Sequence, residues 1–180
     1  MPIVMLFTLI NRLLNLFRFC SLNAFLYFKT ELREVLGFYT EQEGTYPGSQ
    51  PTVNSQFTSL SIIAPFWYKL DDKRPGSLIV SITADHKIKV IQSAHKKHLK
   101  VYTVVHNLFY ETAEKGKQVA INVLENDKNR NVFIQNLRNE MNQFKYDGIN
   151  IDMENLYLTD RDSSSLLIKN CLMLCIVMEK

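Results

Sequence analysis

Between Glu34 and Asp162 short apolar runs alternate with longer stretches of helical period, and that alternation leaves few folds open. Strands joined through helices lie parallel, because the crossover carries the chain back to the same end of the sheet; the pattern predicts a parallel sheet built of βα units. The first strand falls at 35–39 and ends in Thr40, Glu41 and a Gly- and Pro-bearing loop through Pro51. The second falls at 60–66, with Pro65 expected at its end because proline has no N–H to donate to a ladder. Over 85–99, Ile88, Ile91, Ala94 and Leu99 recur at helical spacing among lysines and histidines. Residues 100–106 form the third strand, where Val101, Tyr102, Val104 and Val105 suit a sheet covered on both faces. A helix over 126–144 follows, capped by Asn126 or Asp127, with Val132, Phe133, Leu137, Met141 and Phe144 on one face. The fourth strand is 148–154. Four such units make half of an eight-stranded βα barrel.

Composition divides the chain into an apolar helical extension at 1–30, the barrel portion at 31–162, and an apolar tail at 163–180. The first segment has an apolar run from Ile3 to Ile10, yet no basic residue precedes it and Arg12 and Arg18 interrupt it, so it is not a clean signal peptide. Two arginines also argue against a membrane-spanning helix. Read as a helix it is an apolar rod with a narrow polar stripe, suited to a lipid interface, a partner or a core. The abrupt passage from Ser163-Ser164-Ser165 into the tail is expected of a frameshifted or truncated product. A net charge of +3 from 21 basic and 18 acidic residues shows no block that would neutralise a phosphate backbone, so nucleic acid is not an expected partner. Cys20, Cys171 and Cys175 sit at the two ends and build no disulfide framework; Cys171 and Cys175 are read as small apolar residues, and no metal site is expected.

The chemistry concentrates in Asp147-Gly148-Ile149-Asn150-Ile151-Asp152-Met153-Glu154. On a strand Asn150, Asp152 and Glu154 share one face, and Ile149, Ile151 and Met153 the other. Asp152 and Glu154 are then about 7 Å apart at Cα. Like charges at that range resist joint ionisation, which favours a proton held by one of them, as a general acid requires. In βα barrels the C-terminal strand ends are where catalytic groups sit.

This stretch resembles the D-G-x-D-x-D-x-E signature on the fourth barrel strand of glycoside hydrolase family 18, the family of chitinases and of peptidoglycan and spore-cortex N-acetylglucosaminidases. The resemblance extends over 34–162 and includes the first strand, Leu36-Gly37-Phe38-Tyr39-Thr40-Glu41. It implies a partial (β/α)8 barrel and a glycosidase acting on N-acetylglucosamine-containing polysaccharide by substrate-assisted retention, without a cofactor. By position Glu154 would protonate the leaving oxygen and Asp152 would orient the acetamido group, with Asp147 supporting the start of the strand. Asn150 stands where the middle aspartate belongs; it cannot share a proton as a carboxyl can, and it favours the cell-wall and spore branch over chitin. Tyr39 and Trp67 fall where aromatic sugar platforms are expected, though plugging a barrel or helix interface is an equal reading for Tyr39.

The resemblance also implies an extracellular address at the cell wall or spore envelope. Four strands of eight lead us to expect little turnover from this chain, and a non-catalytic glycan-binding or interaction module is the competing reading. The apolar ends would suit contact with a membrane or with another copy. His95 and His98 are read as solvated; His106 and Asn107, at the end of the third strand, are assigned no chemistry.

Overall fold

A computed structural model describes residues 33–178; the segment at 1–30, with the readings attached to it, lies outside them. Four parallel strands, β1 (Leu36–Tyr39), β2 (Ile62–Leu70), β4 (Lys100–His106) and β5 (Gly148–Asp152), lie side by side in chain order. β3 (Leu78–Val80) pairs antiparallel with the last residues of β2. The crossovers carry helices α1 (Gln50–Gln56), α2 (Ala84–His95), α3 (Ala113–Leu124) and α4 (Asp127–Phe144), and α5 (Arg161–Met178) follows β5. Strand order that tracks chain order without reversal belongs to a βα barrel, whereas doubly wound sheets reverse direction at a switch point. The described fold is thus α/β, a partial barrel, as the alternation predicts.

One layer of core joins sheet and helices. Tyr39, Ile63, Trp67, Val101 and Val105 on the sheet meet Val90, Ile91 and Ala94 of α2, Val119, Val123 and Leu124 of α3, and Phe133 and Leu137 of α4. Leu167 of α5 is buried with them, so the helix beginning at Arg161 runs through the division placed after Asp162. Among the described residues no helix is long and apolar enough to cross a membrane.

Within this layer lies a polar knot. Lys87 of α2 is buried; its Nζ donates to Tyr68 Oη at 2.7 Å and to Glu140 Oε2 at 2.9 Å, and lies 3.8 Å from the centroid of the Phe144 ring. Tyr68 Oη also bonds Glu140 and lies 2.9 Å from Tyr146 Oη. Burial raises the Tyr68 and Tyr146 phenols well above their ordinary value, so both stay neutral. The knot ties α2 and α4 to β2 and to the approach to β5.

Several elements differ from expectation. β2 continues through Pro65 to Leu70, and its ladder to β4 skips Ala64 and Pro65 and shifts register between Phe66 and Tyr68, which accommodates the missing donor. The loop expected through Pro51 turns helical at α1, which has proline in its first turn. The helix expected at 85–99 ends at His95. α3 has no clear mark in the sequence pattern, because Gly116 in its first turns weakens the helical signal. That glycine is required because a Cβ there would run into the Asn107 carbonyl and the Tyr110 ring. Thr112 caps α3 by accepting from Lys115 N–H at 3.1 Å, and Asn126 caps α4 by accepting from Asn129 N–H at 3.1 Å.

Candidate functional site

The residues singled out by the motif are spread along β5. Lys145 ends α4 in the left-handed region at φ 59°, Tyr146 is buried, and Asp147 meets the sheet at its N-terminal end. Asp147 Oδ2 accepts the Val101 N–H at 2.8 Å and lies 2.8 Å from His95 Nε2, while its own N–H donates to Val101 O at 3.0 Å. It fastens the starts of β4 and β5 and the end of α2, about 16 Å by strand rise from Asp152. The motif's glycine has a steric reason: a Cβ on Gly148 would stand 2.8 Å from Tyr102 Cδ1, whose ring covers that spot.

Asn150 and Asp152 lie on one face of β5, in register with Val104 and His106 of β4. Ile149, Ile151 and Met153 pack on the helix-side core. Asp152 is half-buried, and the transverse row through it runs Lys69, His106, Asp152 across the C-terminal ends of β2, β4 and β5. The strand stops at Asp152, two residues earlier than expected. Beyond it the buried Asn107 replaces a backbone ladder: its Oδ1 accepts the Glu154 N–H at 2.8 Å, and its Nδ2 donates to Glu154 O at 3.0 Å and to Gly116 O at 3.2 Å. Glu154 is thereby held in place by its main chain with its side chain exposed, and Asn155 turns the chain away at φ 58°. Asn is among the residues that adopt that region most readily.

The aromatic residues need correction. Tyr39 and Trp67 are 2% and 1% exposed in the core on the helix side, opposite the Asp152 face. Trp67 Nε1 donates to Glu41 Oε1 at 2.8 Å, with Glu41 Oε2 at 2.9 Å from His86 Nε2, and Tyr39 Oη donates to Gln50 Oε1 at 3.2 Å. Burial, and then the Glu41 carboxylate, push the Tyr39 phenol up to about 12. The aromatics that reach the Asp152 face are their chain neighbours. Phe66 stacks on His106 with ring centroids 4.7 Å apart, Phe38 meets Phe66 edge-on at 5.7 Å, and Phe109 meets His106 edge-on at 5.4 Å.

His106 is buried, and its Nδ1 accepts the Leu108 N–H at 3.1 Å, which leaves Nε2 as the protonated nitrogen of the neutral ring. Burial, followed by the Lys69 ammonium, pushes its pKa down to about 4. Neither His106 nor Asn107 carries a sequence signal of its role, since both act through neighbours that only the fold brings near. His95 is not merely solvated but faces Asp147.

A cavity of about 400 Å³ beside β5 is lined by Tyr102, Asn150, Leu137, Met141 and Ile168 among others, but by neither Asp152 nor Glu154. It is a mainly hydrocarbon gap beside the edge strand that meets Asn150 and reaches neither carboxylate. Among the described residues no three His, Cys, Asp or Glu side chains gather as a metal site.

No family model and no curated protein matches the sequence. Solved structures do. The spore cortex-lytic enzyme SleL of Bacillus cereus superposes with a TM-score of 0.61 at 18% identity, over 77% of this chain and 31% of that one. A chitinase from Bacteroides thetaiotaomicron gives 0.64 at 18% identity, over 78% and 42%. A chitinase from Chromobacterium violaceum gives 0.60 at 19%, over 77% and 40%. The chain spans between about a third and two-fifths of the length of these proteins. At such identities the likeness is one of fold: the described residues adopt part of the barrel of chitinases and spore cortex-lytic enzymes, the proteins whose strand signature residues 147–154 resemble.

Proposed function

We propose that this chain carries the acid-bearing strand of a family 18 glycosidase site and acts on N-acetylglucosamine-containing glycan of a cell wall or spore envelope, outside the cell. The observation that supports it most is the end of β5. Asp152 lies on the barrel face in register with His106, and Glu154 follows with its backbone clamped by Asn107. In the proposed reaction Glu154 donates a proton to the leaving glycosidic oxygen and later takes one from water, while the substrate's own acetamido group attacks the anomeric carbon. Asp152 orients that group and balances the positive charge of the oxazolinium. Asp147 holds the start of the strand, and Asn150 lines the face between them. The asparagine favours peptidoglycan over chitin.

The described sheet flanks these carboxylates on one side only, with Phe38 exposed on the same face. Turnover by the chain as given is therefore expected to be slow, and this open face is what favours the second reading, a glycan-binding module without catalysis. Reducing-end release from N-acetylglucosamine oligomers and from purified peptidoglycan, by the chain and by Glu154→Gln, separates the two. Slow release abolished by the substitution supports the hydrolase; binding with no release supports the module. Release untouched by Glu154→Gln removes the site, and failure to bind either glycan removes both readings.

A further inference from the structure

We infer that two copies of this chain join edge to edge, β5 of each beside β1 of the other, and close their sheets into one eight-stranded barrel. Among the described residues β1 and β5 each have a single neighbour, so both ends of the sheet are open. Ser61 and Ile62 N–H both donate to Val35 O, which leaves the main-chain groups of Leu36 and Phe38 turned away from β2. Lys100 N–H donates to Ser61 O, so Val101 and Thr103 face β5 and meet Gly148; Ile149 and Ile151 then point their main-chain groups at the other open edge. Lysine, proline and bulges are common devices that keep an exposed edge from pairing. Neither edge carries one: β1 reads Leu-Gly-Phe-Tyr, β5 reads Gly-Ile-Asn-Ile-Asp, and the register shift of the sheet falls in β2.

The side chains at the edges are apolar as well. Leu36 and Phe38 are exposed on the inner face. The cavity of about 400 Å³ beside β5 lies between Ile149 and Ile151 of that strand and the exposed Ile168 and Leu172 of α5. A helix of a βα barrel covers its own strand and the next one, and α5 has only the first. Leu36 reaches the same cavity from the far end of the sheet, so the sheet is curled. A second copy, turned by a twofold rotation about the barrel axis, brings its β1 parallel to β5 and its β5 parallel to β1. That one association leaves no edge open, whereas an unrelated strand caps only one. Two seams, each about 16 Å long by strand rise and about 20 Å deep through the sheet and helix layers, bury on the order of 1,300 Å² counted over both partners, the size of a stable specific interface. Closure gives the Asp152 row of each copy the second flank that a single sheet leaves open. The inference goes beyond the glycan reading and stands without it.

Sedimentation of the full chain at about 10 μM, above the micromolar Kd of the weakest interfaces of this size, should give twice the chain mass of 21.0 kDa. Leu36→Lys, which places a charge inside the closed barrel, and Phe38→Pro, which removes an N–H that the single sheet does not use, should each give the single mass. Ile88→Lys, a like change at an equally exposed site on α2, should keep the double mass. Hydrogen exchange followed by NMR needs no variant and decides the matter if an edge substitution unfolds the chain: the Leu36, Phe38, Ile149 and Ile151 amides of the parent should exchange at least about a hundredfold more slowly than in an unstructured chain. A parent of single mass, a ladder of larger species, a double mass that survives both edge substitutions or is lost in Ile88→Lys, or edge amides that exchange at unstructured rates would each overturn the inference.

Discussion

Removing the Asn107 carboxamide tests whether the end of β5 is held as described. Asn107 is 3% exposed and makes three bonds: one from Glu154 N–H and two to the carbonyls of Glu154 and Gly116. In Asn107→Ala the two Glu154 groups lie at an exposed residue, where water replaces part of what is lost, about 1 kcal/mol each at most. The Gly116 carbonyl lies inside α3 and keeps its intrahelical donor, so losing the second one from Asn107 costs about 0.5–1 kcal/mol. The sum is roughly 1–3 kcal/mol, which for a domain of this size lowers the midpoint of thermal unfolding by about 3–10 °C. Asn107→Asp sharpens the test. It keeps the acceptor for Glu154 N–H and turns the donor into an oxygen facing two carbonyls, which favours the protonated form and raises the introduced carboxyl above its unfolded value of about 3.9. Below about pH 4 both states hold the proton and the variant keeps most of its stability. As pH rises from there through the folded value the stability is lost, and above that value the deficit stays constant. Circular dichroism melts at pH 3.5, 5 and 7 read this out. An Asn107→Ala chain within about 0.5 kcal/mol of the parent, or an Asn107→Asp chain equally stable at all three pH values, would show that the clamp does not hold the strand end.

Glu140→Ala strips the buried Lys87 ammonium of its carboxylate and should cost about 3 kcal/mol in urea unfolding, whereas replacing both by Met and Leu should cost less, because no unpaired charge remains; equal losses would argue that the pair acts through packing alone. For His106 the folded pKa of about 4 lies below the ordinary value of about 6.5, so its contribution is complete above pH 6.5 and is lost as pH falls towards 4. On the order of 3 kcal/mol of acid sensitivity over that window should be missing from His106→Gln, and urea midpoints at pH 7.5, 5.5 and 4.5 that fall in parallel for both chains would contradict it.

What could be read from the sequence follows from how local each signal is. The valine run of β4 and the long apolar face of α4 carry their own period, and both elements lie where expected. The motif at 147–154 is as local: alternation alone places Asn150 and Asp152 on one face, and the pairing with Val104 and His106 agrees. α3 was hidden because Gly116 answers to the Asn107 carbonyl and not to its own helix. β5 ends two residues before its alternation predicts because the ladder there is completed by a side chain, which no propensity records. Tyr39 and Trp67 are expected on the barrel face and are found in the helix-side core, a difference of one residue in the alternation of each of two strands. An aromatic pair such as Phe38-Tyr39 or Phe66-Trp67 satisfies either assignment of faces, since a shift of one exchanges core for site. Only neighbouring strands decide: Tyr39 and Trp67 fall to the helices, while the Phe66 ring stacks on His106 and the Phe38 ring meets it. The two errors therefore share a cause, and correcting one obliges the other. β1 and β2 are paired residue for residue from Leu36 and Ile62 through Tyr39 and Pro65, so Phe38 and Ala64 must face the same way, and Phe66, two residues on, must face with them.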